Sequence, residues 1–269
     1  MKSIWMSATF LISAVASATA ADLPARSYTK APAIAAAYDW SGWYAGANGG
    51  YGWGDDRTGV FSSTNDIFYY GSALAVGYLP TNYGAKHDGG FGGVQAGYNM
   101  QSGIWLVGIE ADIQGADIGR TANSSFPGGG GGIVPSVSEA RDHIDWFGTV
   151  RGRAGFVVDR VLFYGTGGFA YGGVRSSFRT ADLGNVEPVV GSSSGTRIGW
   201  AAGAGIEWAV GTNWTIRAEY LHVDLGSTDV QGLTIPSPTE LITYRYDHNF
   251  DAARIGINYK FGGPVIAKY

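Results

Sequence analysis

The chain of 269 residues contains no cysteine, and charged residues make up only 15% of it. The absence of cysteine excludes a disulfide framework, cysteine zinc ligands, thiol catalysis and a lipid-modified N-terminal cysteine. The chain also lacks an excess of positive charge, since 18 Lys and Arg stand against 22 Asp and Glu, a formal net charge of −4. Nucleic-acid-binding proteins normally present a basic surface, so we expect no nucleic-acid partner.

Long apolar runs are missing as well. A transmembrane helix needs about 20 apolar residues, and after the first 21 residues every apolar run is soon interrupted by Gly, Arg, Glu or Asp. What the chain does contain is 44 Gly, 16 Tyr, 12 Phe and 9 Trp. So many aromatic residues are atypical of disordered chains, and so much glycine disfavours helices. The composition therefore predicts an all-β fold.

The N-terminus has the features of a secretory signal peptide. Lys2 precedes a weakly apolar stretch, and a run of small residues follows at 16–21. Cleavage is expected after Ala20 or Ala21. The next residues, 22–40, contain two prolines and no alternating pattern, which predicts a flexible leader.

From Trp43 onward, apolar and polar residues alternate in segments of about ten residues, the period of a half-buried β-strand. The clearest example is the last segment, where Ile255 and Ile257 share one face and Arg254 and Lys260 share the other. The pattern predicts eight strands, at 43–53, 91–100, 104–114, 143–158, 161–174, 197–210, 214–223 and 251–261. The sequence does not assign the two faces of the segment at 161–174.

The connections between these segments alternate in length. Three are tight hairpins, at 101–103, 159–160 and 211–213, and four are long and polar, at 54–90, 115–142, 175–196 and 224–247. Short periplasmic turns and long external loops are typical of transmembrane β-barrels. The sequence therefore predicts an eight-stranded antiparallel up-and-down transmembrane β-barrel that displays four long extracellular loops.

A soluble ligand-binding barrel is the alternative fold. Such a barrel has an apolar interior, whereas here one face of several strands carries charges and the other is aliphatic with aromatic residues at its ends. Together with the signal peptide and the unequal connections, this pattern favours the membrane barrel. The predicted organisation is a signal peptide at 1–21, a periplasmic leader at 22–40, the barrel at 41–261 and a C-terminal periplasmic tail at 262–269.

Several stretches also resemble a known family. ADLPAR at 21–26, YDWSGWYAGANGGYGWG at 38–54, GVQAGYN at 93–99 and the C-terminal ARIGINYKFGGPVIAKY are similar to outer-membrane immunogenic proteins of alphaproteobacteria. These proteins are small porin-family barrels with an OmpA-like fold. The resemblance covers nearly the whole mature chain and implies the outer membrane of a Gram-negative bacterium. We accordingly expect contacts with outer-membrane lipid, lipopolysaccharide and the assembly machinery, and with host or surface ligands at the loops.

Ten charged residues fall on the predicted inward face. An eight-stranded barrel has room inside for little more than its own side chains, and a lone buried charge is costly, so these groups are expected to pair. The predicted network of four acids and six bases consists of Glu110, Asp112, Arg151, Arg153, Arg197, Glu207, Arg217, Glu219, Arg254 and Lys260. The alternative to a structural plug is a narrow path for ions or small solutes gated by the same pairs.

No catalytic, metal or cofactor site is predicted. The Gly-rich tract at 128–132 lacks the Lys-Ser/Thr of a phosphate-binding loop. The four histidines are expected at the external rim, and the spacing supplies no serine–histidine–acid group for hydrolysis. The favoured function is a structural and surface-interaction barrel. A small porin is the alternative, and a lipid A-modifying enzyme is the less favoured one.

Overall fold

A computed structural model describes residues 38–55, 59–63, 86–128, 135–182, 188–234 and 241–262. The predicted signal peptide, most of the leader and nearly all of the C-terminal tail lie outside the described residues. The strands are β1 (Gly42–Asp55), β2 (Gly59–Ser63), β3 (Lys86–Ser102), β4 (Trp105–Phe126), β5 (Ser136–Val158), β6 (Val161–Asp182), β7 (Val189–Ala209), β8 (Trp214–Thr234) and β9 (Leu241–Lys260). None of the described segments is a helix that could cross a membrane.

Eight of these strands form a closed antiparallel ring. Sequence neighbours pair from β3 through β9, and β1 pairs with both β3 and β9, which closes the ring. The ninth strand, β2, is short and pairs with one end of β9. The predicted eight-stranded up-and-down barrel is confirmed, with β2 as an addition that the sequence pattern did not reveal.

The three predicted hairpins are present and lie at one end of the ring, which we call the turn end. Gly103 and Ile104 join β3 to β4, Asp159 and Arg160 join β5 to β6, and residues 210–213 join β7 to β8. Gly103 has a φ of 60°, and Asp159 has a φ of 52°, a left-handed conformation that Asp tolerates better than most residues. The opposite end is called the loop end.

The prediction of four long loops is wrong for most of their length. The ranges 115–142, 175–196 and 224–247 are largely strand, because β4 to β9 continue well beyond the predicted segments. The range 54–90 contains β2 and the beginning of β3. The wall of the barrel is therefore much taller than the sequence pattern suggested.

The sequence pattern predicted loops at these strand ends because the polarity of the two faces reverses along the wall. In the half at the turn end, aliphatic residues such as Ile109, Val150 and Ile257 point outward and are 41–56% exposed. In the half at the loop end, apolar residues point inward instead: Val174 and Phe178 are at most 4% exposed. A membrane requires the first arrangement and water the second.

Exposed aromatic residues mark the borders of the apolar outer band. The belt at the turn end contains Trp43, Trp105, Trp208, Trp214 and Tyr259, and the belt towards the loop end contains Trp53, Trp200 and Tyr220. Aromatic side chains are enriched at both membrane–water interfaces, so the band between the belts is the membrane-spanning part. The remaining strand ends extend beyond the membrane.

Irregular strand pairing accompanies the reversal of polarity between the two halves of the wall. In β5, one extra residue lies between Ile144 and Trp146, and in β8 the register shifts between Asp224 and Ser227. Such bulges change which face a strand presents to the interior. A strict period of two therefore cannot be followed through either strand from end to end.

The interior is filled by three apolar layers. The turn-end layer contains Tyr38, Trp40, Leu106, Val157, Leu162, Tyr164 and Ala209. The middle layer is built around Phe91, Ile118, Ile144, Phe147, Leu221, Leu225 and Phe250. The loop-end layer contains Ala122, Ala140, Phe178, Val189, Val230, Ile242, Tyr244 and Tyr246.

Candidate functional site

A cluster of eight charged side chains lies in the lumen between the turn-end layer and the middle layer. Each of them is at most 4% exposed. Four arginines face four carboxylates, so the cluster is balanced in formal charge. Its members are Arg151, Arg153, Arg217, Arg254, Glu110, Asp112, Glu207 and Glu219.

Strand register places opposite charges side by side. Glu110 lies opposite Arg151 on the neighbouring strand, and Glu219 lies opposite Arg254. Oppositely charged residues at such cross-strand positions attract each other. The alternation and the strand register therefore place these groups in the lumen independently of the contacts across it.

Arg151 joins three acids. Its Nη2 donates to Glu110 Oε1 at 2.8 Å and to Asp112 Oδ2 at 2.9 Å, while Nη1 donates to Glu219. Its Nε donates to Thr149 Oγ1 at 2.7 Å. The guanidinium therefore connects β4 and β5 with β8, on the other side of the lumen.

Arg254 connects the same acids from the opposite direction. Its Nη1 donates to Asp112 Oδ2 at 3.0 Å, and its Nη2 donates to Glu219 Oε2 at 3.1 Å and to Glu110 Oε1 at 3.3 Å. Arg217 Nη1 also donates to Glu110. Charge-assisted bonds of this kind are among the stronger hydrogen bonds in proteins, and sharing acids between arginines couples four strands.

Two tyrosines that sequence reasoning missed complete the cluster. Arg153 Nη2 donates to Glu207 Oε2 at 2.7 Å, and its guanidinium carbon lies 4.2 Å from the centre of the Tyr164 ring. The hydroxyl of Tyr44 donates to Glu110 Oε2 at 2.7 Å. Tyr44 lies at an inward position of β1, so the alternation could have predicted its place in the lumen. Tyr164 lies on β6, where Leu162 points inward and Phe163 outward. Because both faces of β6 are apolar there, the sequence does not show which face is inward.

Two residues of the predicted network lie elsewhere. Arg197 is half-buried on β7, which does not pair with β8 between Gly191 and Trp200. The hydrogen bond from Arg245 lowers the pKa of Asp229 on β8, and the charge of Arg197 makes a smaller contribution in the same direction. Lys260 points inward at the turn end, where its Nζ donates to the backbone oxygen of Asp39. The predicted excess of bases is therefore absent from the cluster, because Arg197 and Lys260 lie outside it.

Residues from the end of the predicted leader close the turn end of the lumen. Trp40 is 2% exposed, and its backbone nitrogen donates to Gln101 Oε1 at 2.9 Å. Tyr38 packs edge-on against Trp40 with ring centres 4.9 Å apart, and Lys260 Nζ lies 5.0 Å from the centre of its ring. Burial, with a smaller contribution from Glu207, raises the pKa of Tyr38 to about 12.

Aromatic rings fill the lumen on the other side of the cluster. Phe147 packs edge-on against Phe91 and Phe250, with ring centres 5.2 Å apart in both pairs. Phe147 and Phe250 are at most 1% exposed. The charged cluster is consequently enclosed between two apolar layers.

His143, His222 and His248 lie within the wall and not at its rim, because their strands continue past them, whereas His87 is the second residue of β3. His87 and His248 point inward and are at most 2% exposed. His143 and His222 are partly exposed beside aspartates. Within the described ranges, no group of three or more His, Asp or Glu side chains could hold a metal ion.

One hydroxyl–histidine–acid arrangement does occur, although the sequence spacing did not indicate it. His248 Nε2 lies 2.9 Å from Thr228 Oγ1, and His248 Nδ1 lies 3.2 Å from Asp142 Oδ2. All three side chains are at most 4% exposed. They join β8 and β9 to β5 across the lumen, so we interpret the group as a polar strut.

Comparisons with known proteins agree with this architecture. The 31 kDa outer-membrane immunogenic protein of Brucella melitensis is 37% identical over 233 residues, which cover 83% of this chain and 85% of that protein. The 22 kDa outer membrane protein of Rhizobium leguminosarum bv. viciae is 33% identical over 196 residues, covering 72% and 77%.

Among solved structures, the outer membrane protease OmpT of Escherichia coli matches 81% of this chain and 96% of its own, with 12% identity and a TM-score of 0.46. The family described as outer membrane protein beta-barrel domain matches residues 7–261. The chain therefore belongs to this family of Gram-negative outer-membrane β-barrels.

Proposed function

We propose that this protein is a structural and surface-interaction barrel whose lumen is closed to solutes. The observation that carries the proposal is the filling of the lumen. The charged cluster lies between the layer of Trp40 and the layer of Phe147, and the loop-end layer adds a third obstruction. An eight-stranded barrel has little interior space beyond its own side chains, and here those side chains bind one another.

The part of the wall outside the membrane supports the surface role. It has exposed polar side chains on its outer face, as Arg175, Asp229 and Arg245 illustrate, and a layer of apolar side chains in its interior. The outward side chains of this part of the wall are exposed beyond the lipid surface, where they are accessible to partners.

Conductance of the refolded full chain in a planar bilayer tests the proposal against the porin alternative. We expect no steady current from the native barrel at salt concentrations that give clear steps for open porins. A heat-sensitive change of mobility on a gel, with the lumen mutant Glu219→Gln run beside it, verifies that the sample is folded.

Step-like conductance of the native protein would contradict the closed lumen. If its ion selectivity also changed in Glu219→Gln without a loss of stability, the porin alternative would replace this proposal. In that case the charged cluster would line a wet path, where exposed ion pairs contribute only about 0–1 kcal/mol.

A further inference from the structure

A second group of polar side chains crosses the lumen between the middle layer and the loop-end layer. On five strands, a polar residue lies inward between a member of one apolar layer and a member of the other. On β5, for example, Asp142 lies between Ile144 of the middle layer and Ala140 of the loop-end layer. Together with His87 on β3 we call these residues the polar layer, and each is at most 7% exposed. The other members are Arg120 on β4, Asp142 on β5, Ser176 on β6, Thr228 on β8 and His248 on β9.

The polar layer lies outside the membrane. Trp53, in the aromatic belt towards the loop end, is the register partner of Asp88 on β3 and of Asp251 on β9. His87 lies one residue nearer the loop end than Asp88, and His248 lies three residues nearer than Asp251. Aromatic belts mark the membrane–water interfaces, so both histidines belong to the half of the wall that extends beyond the lipid.

The single carboxylate of the polar layer is already engaged. Ser176 Oγ donates to Asp142 Oδ1 at 2.6 Å, and His248 Nδ1 lies 3.2 Å from Asp142 Oδ2. The other ring nitrogen of His248 lies 2.9 Å from Thr228 Oγ1. Arg120 is the register partner of Asp142 on the neighbouring strand. One arginine thus stands against one aspartate, and the polar layer is balanced in charge only while its two histidines are neutral.

His87 has none of these contacts. Its side chain is 2% exposed, and within the described ranges neither ring nitrogen has a hydrogen-bond partner of ordinary geometry. Gly54, opposite it on β1, leaves room for the ring, since a Cβ added there would lie 2.8 Å from His87 Nε2. Most buried polar groups in proteins are hydrogen-bonded, so this enclosed imidazole is a feature that needs a physical explanation.

The surroundings of His87 disfavour its charged form. Burial lowers the pKa of His87, and the neighbouring His248 acts in the same direction. Asp142, the backbone of Asn249 and Asp88 favour protonation, but their combined effect is smaller. The groups around His87 are Gly54 on β1, Asp88 on its own strand, Arg120 on β4, Asp142 on β5, and His248 and the backbone of Asn249 on β9.

A lowered pKa links this histidine to the stability of the polar layer. A histidine that binds its proton less tightly in the closed state than in an open, hydrated state favours opening as the pH falls below its ordinary pKa of about 6.5. Asp142 does not titrate in the same range. Burial alone would raise its pKa, but hydrogen bonds from His248 and Ser176 and the charge of Arg120 hold it below the ordinary value of about 3.9. Between these two values the histidine governs the response.

We propose that the polar layer is an acid-sensitive switch, in which protonation of His87 opens the loop-end half of the barrel while the membrane-spanning half stays folded. The added charge joins Arg120 and is opposed by the single carboxylate of Asp142, which is already shared. The charged cluster of the membrane-spanning half contains arginine, glutamate and aspartate but no histidine, so it has no comparable response. The inference goes beyond the closed lumen, because it concerns the loop-end half and holds whether or not the lumen conducts.

Hydrogen–deuterium exchange of the full chain, refolded in neutral detergent, tests the switch. Exchange is measured at about pH 7 and about pH 5, and each rate is divided by the intrinsic rate at that pH. The native chain is compared with His87→Gln and with the control His222→Gln, whose imidazole is 38% exposed on β8. We expect protection of segments 136–145 and 241–250 to fall about tenfold at the lower pH in the native chain and the control. It should change less than twofold in His87→Gln, and segment 104–114 should keep its protection in all three proteins.

Equal protection of the loop-end segments at both pH values in the native chain would overturn the proposal. So would a full response in His87→Gln, or a lost response in His222→Gln, because another group would then be the sensor. An equal loss in segment 104–114 would show that acid unfolds the whole barrel, which also contradicts the switch. If His87→Gln does not refold, His87→Asn replaces it, and the native chain still decides the first and last of these outcomes. Conductance is measured separately at neutral pH, so failure of the switch and failure of the closed lumen are distinguishable.

Discussion

Arg254 on β9 donates a hydrogen bond of 3.0 Å to Asp112 on β4, a residue 142 positions earlier in the chain. The two strands are not neighbours in the ring, so the bond crosses the lumen. Arg151 makes the complementary crossing from β5 to Glu219 on β8. These bonds brace the ring from inside, which is a structural role that a water-filled channel would not require.

The brace predicts that removing one partner of the cluster is costly. Glu219 accepts hydrogen bonds from Arg151, Arg254 and the hydroxyl of Tyr164. Glu219→Gln leaves buried arginines without their full charge partner, and breaking a buried pair typically costs about 3–5 kcal/mol. Folding into lipid vesicles, followed during urea titration, measures the loss.

Asp229→Asn is the matched control for that prediction. It removes the exposed pair with Arg245, in which both side chains are at least 40% exposed, and exposed pairs contribute about 0–1 kcal/mol. A similar small loss in both variants would show that the lumen cluster is hydrated and not a brace.

The membrane-spanning part of the fold could be predicted because lipid imposes one simple rule on it. Ile255 and Ile257 must face hydrocarbon, and Arg254, next to Ile255, must face inward, so the alternation can be recognised in the sequence. Outside the membrane the rule reverses: Arg175 is outward while Val174 and Phe178 are inward. A prediction that applies one polarity pattern to the whole chain therefore assigns these strand ends to loops.

The candidate site shows the same limit. The alternation alone correctly predicted that Arg151, Arg217 and Arg254 point towards the lumen. It could not exclude Arg197, whose parity is also inward, because the separation of β7 from β8 is a tertiary feature. Nor could it find Trp40, which closes the turn end although it precedes the first strand.

Because the apolar outer band contacts lipid, we expect an outward-facing arginine to lower the free energy of unfolding substantially only within the membrane. Ile257 and Val137 are both outward and 44% and 47% exposed, but Val137 lies on the part of β5 beyond the membrane. We expect Ile257→Arg to cost about 2–4 kcal/mol and Val137→Arg much less. Urea titration in vesicles compares them, and equal costs would mean that the band is misplaced.

The turn-end layer predicts that Trp40 stabilises the barrel without being its only seal. Trp40→Ala should cost about 3–5 kcal/mol, because a large buried side chain is replaced by a cavity. Trp43, which is 64% exposed, is the control, and its alanine variant should lose much less. Conductance should stay absent in both variants, since Phe147 still fills the middle of the lumen. A steady current in Trp40→Ala alone would show that the middle layer does not seal.

The last prediction concerns orientation. Ser227 lies at the bulge of β8 in the loop-end half, and Thr212 lies in the turn between β7 and β8; both are exposed. Because the chain has no cysteine, Ser227→Cys and Thr212→Cys each introduce a single thiol. Short turns of such barrels face the periplasm, so a membrane-impermeant thiol reagent should label the first variant in intact cells and spare the second. Both should be labelled after the cells are broken, which shows that each thiol is reactive. Labelling of Thr212→Cys but not Ser227→Cys in intact cells would mean that the barrel is inverted, with its loop end at the periplasmic side.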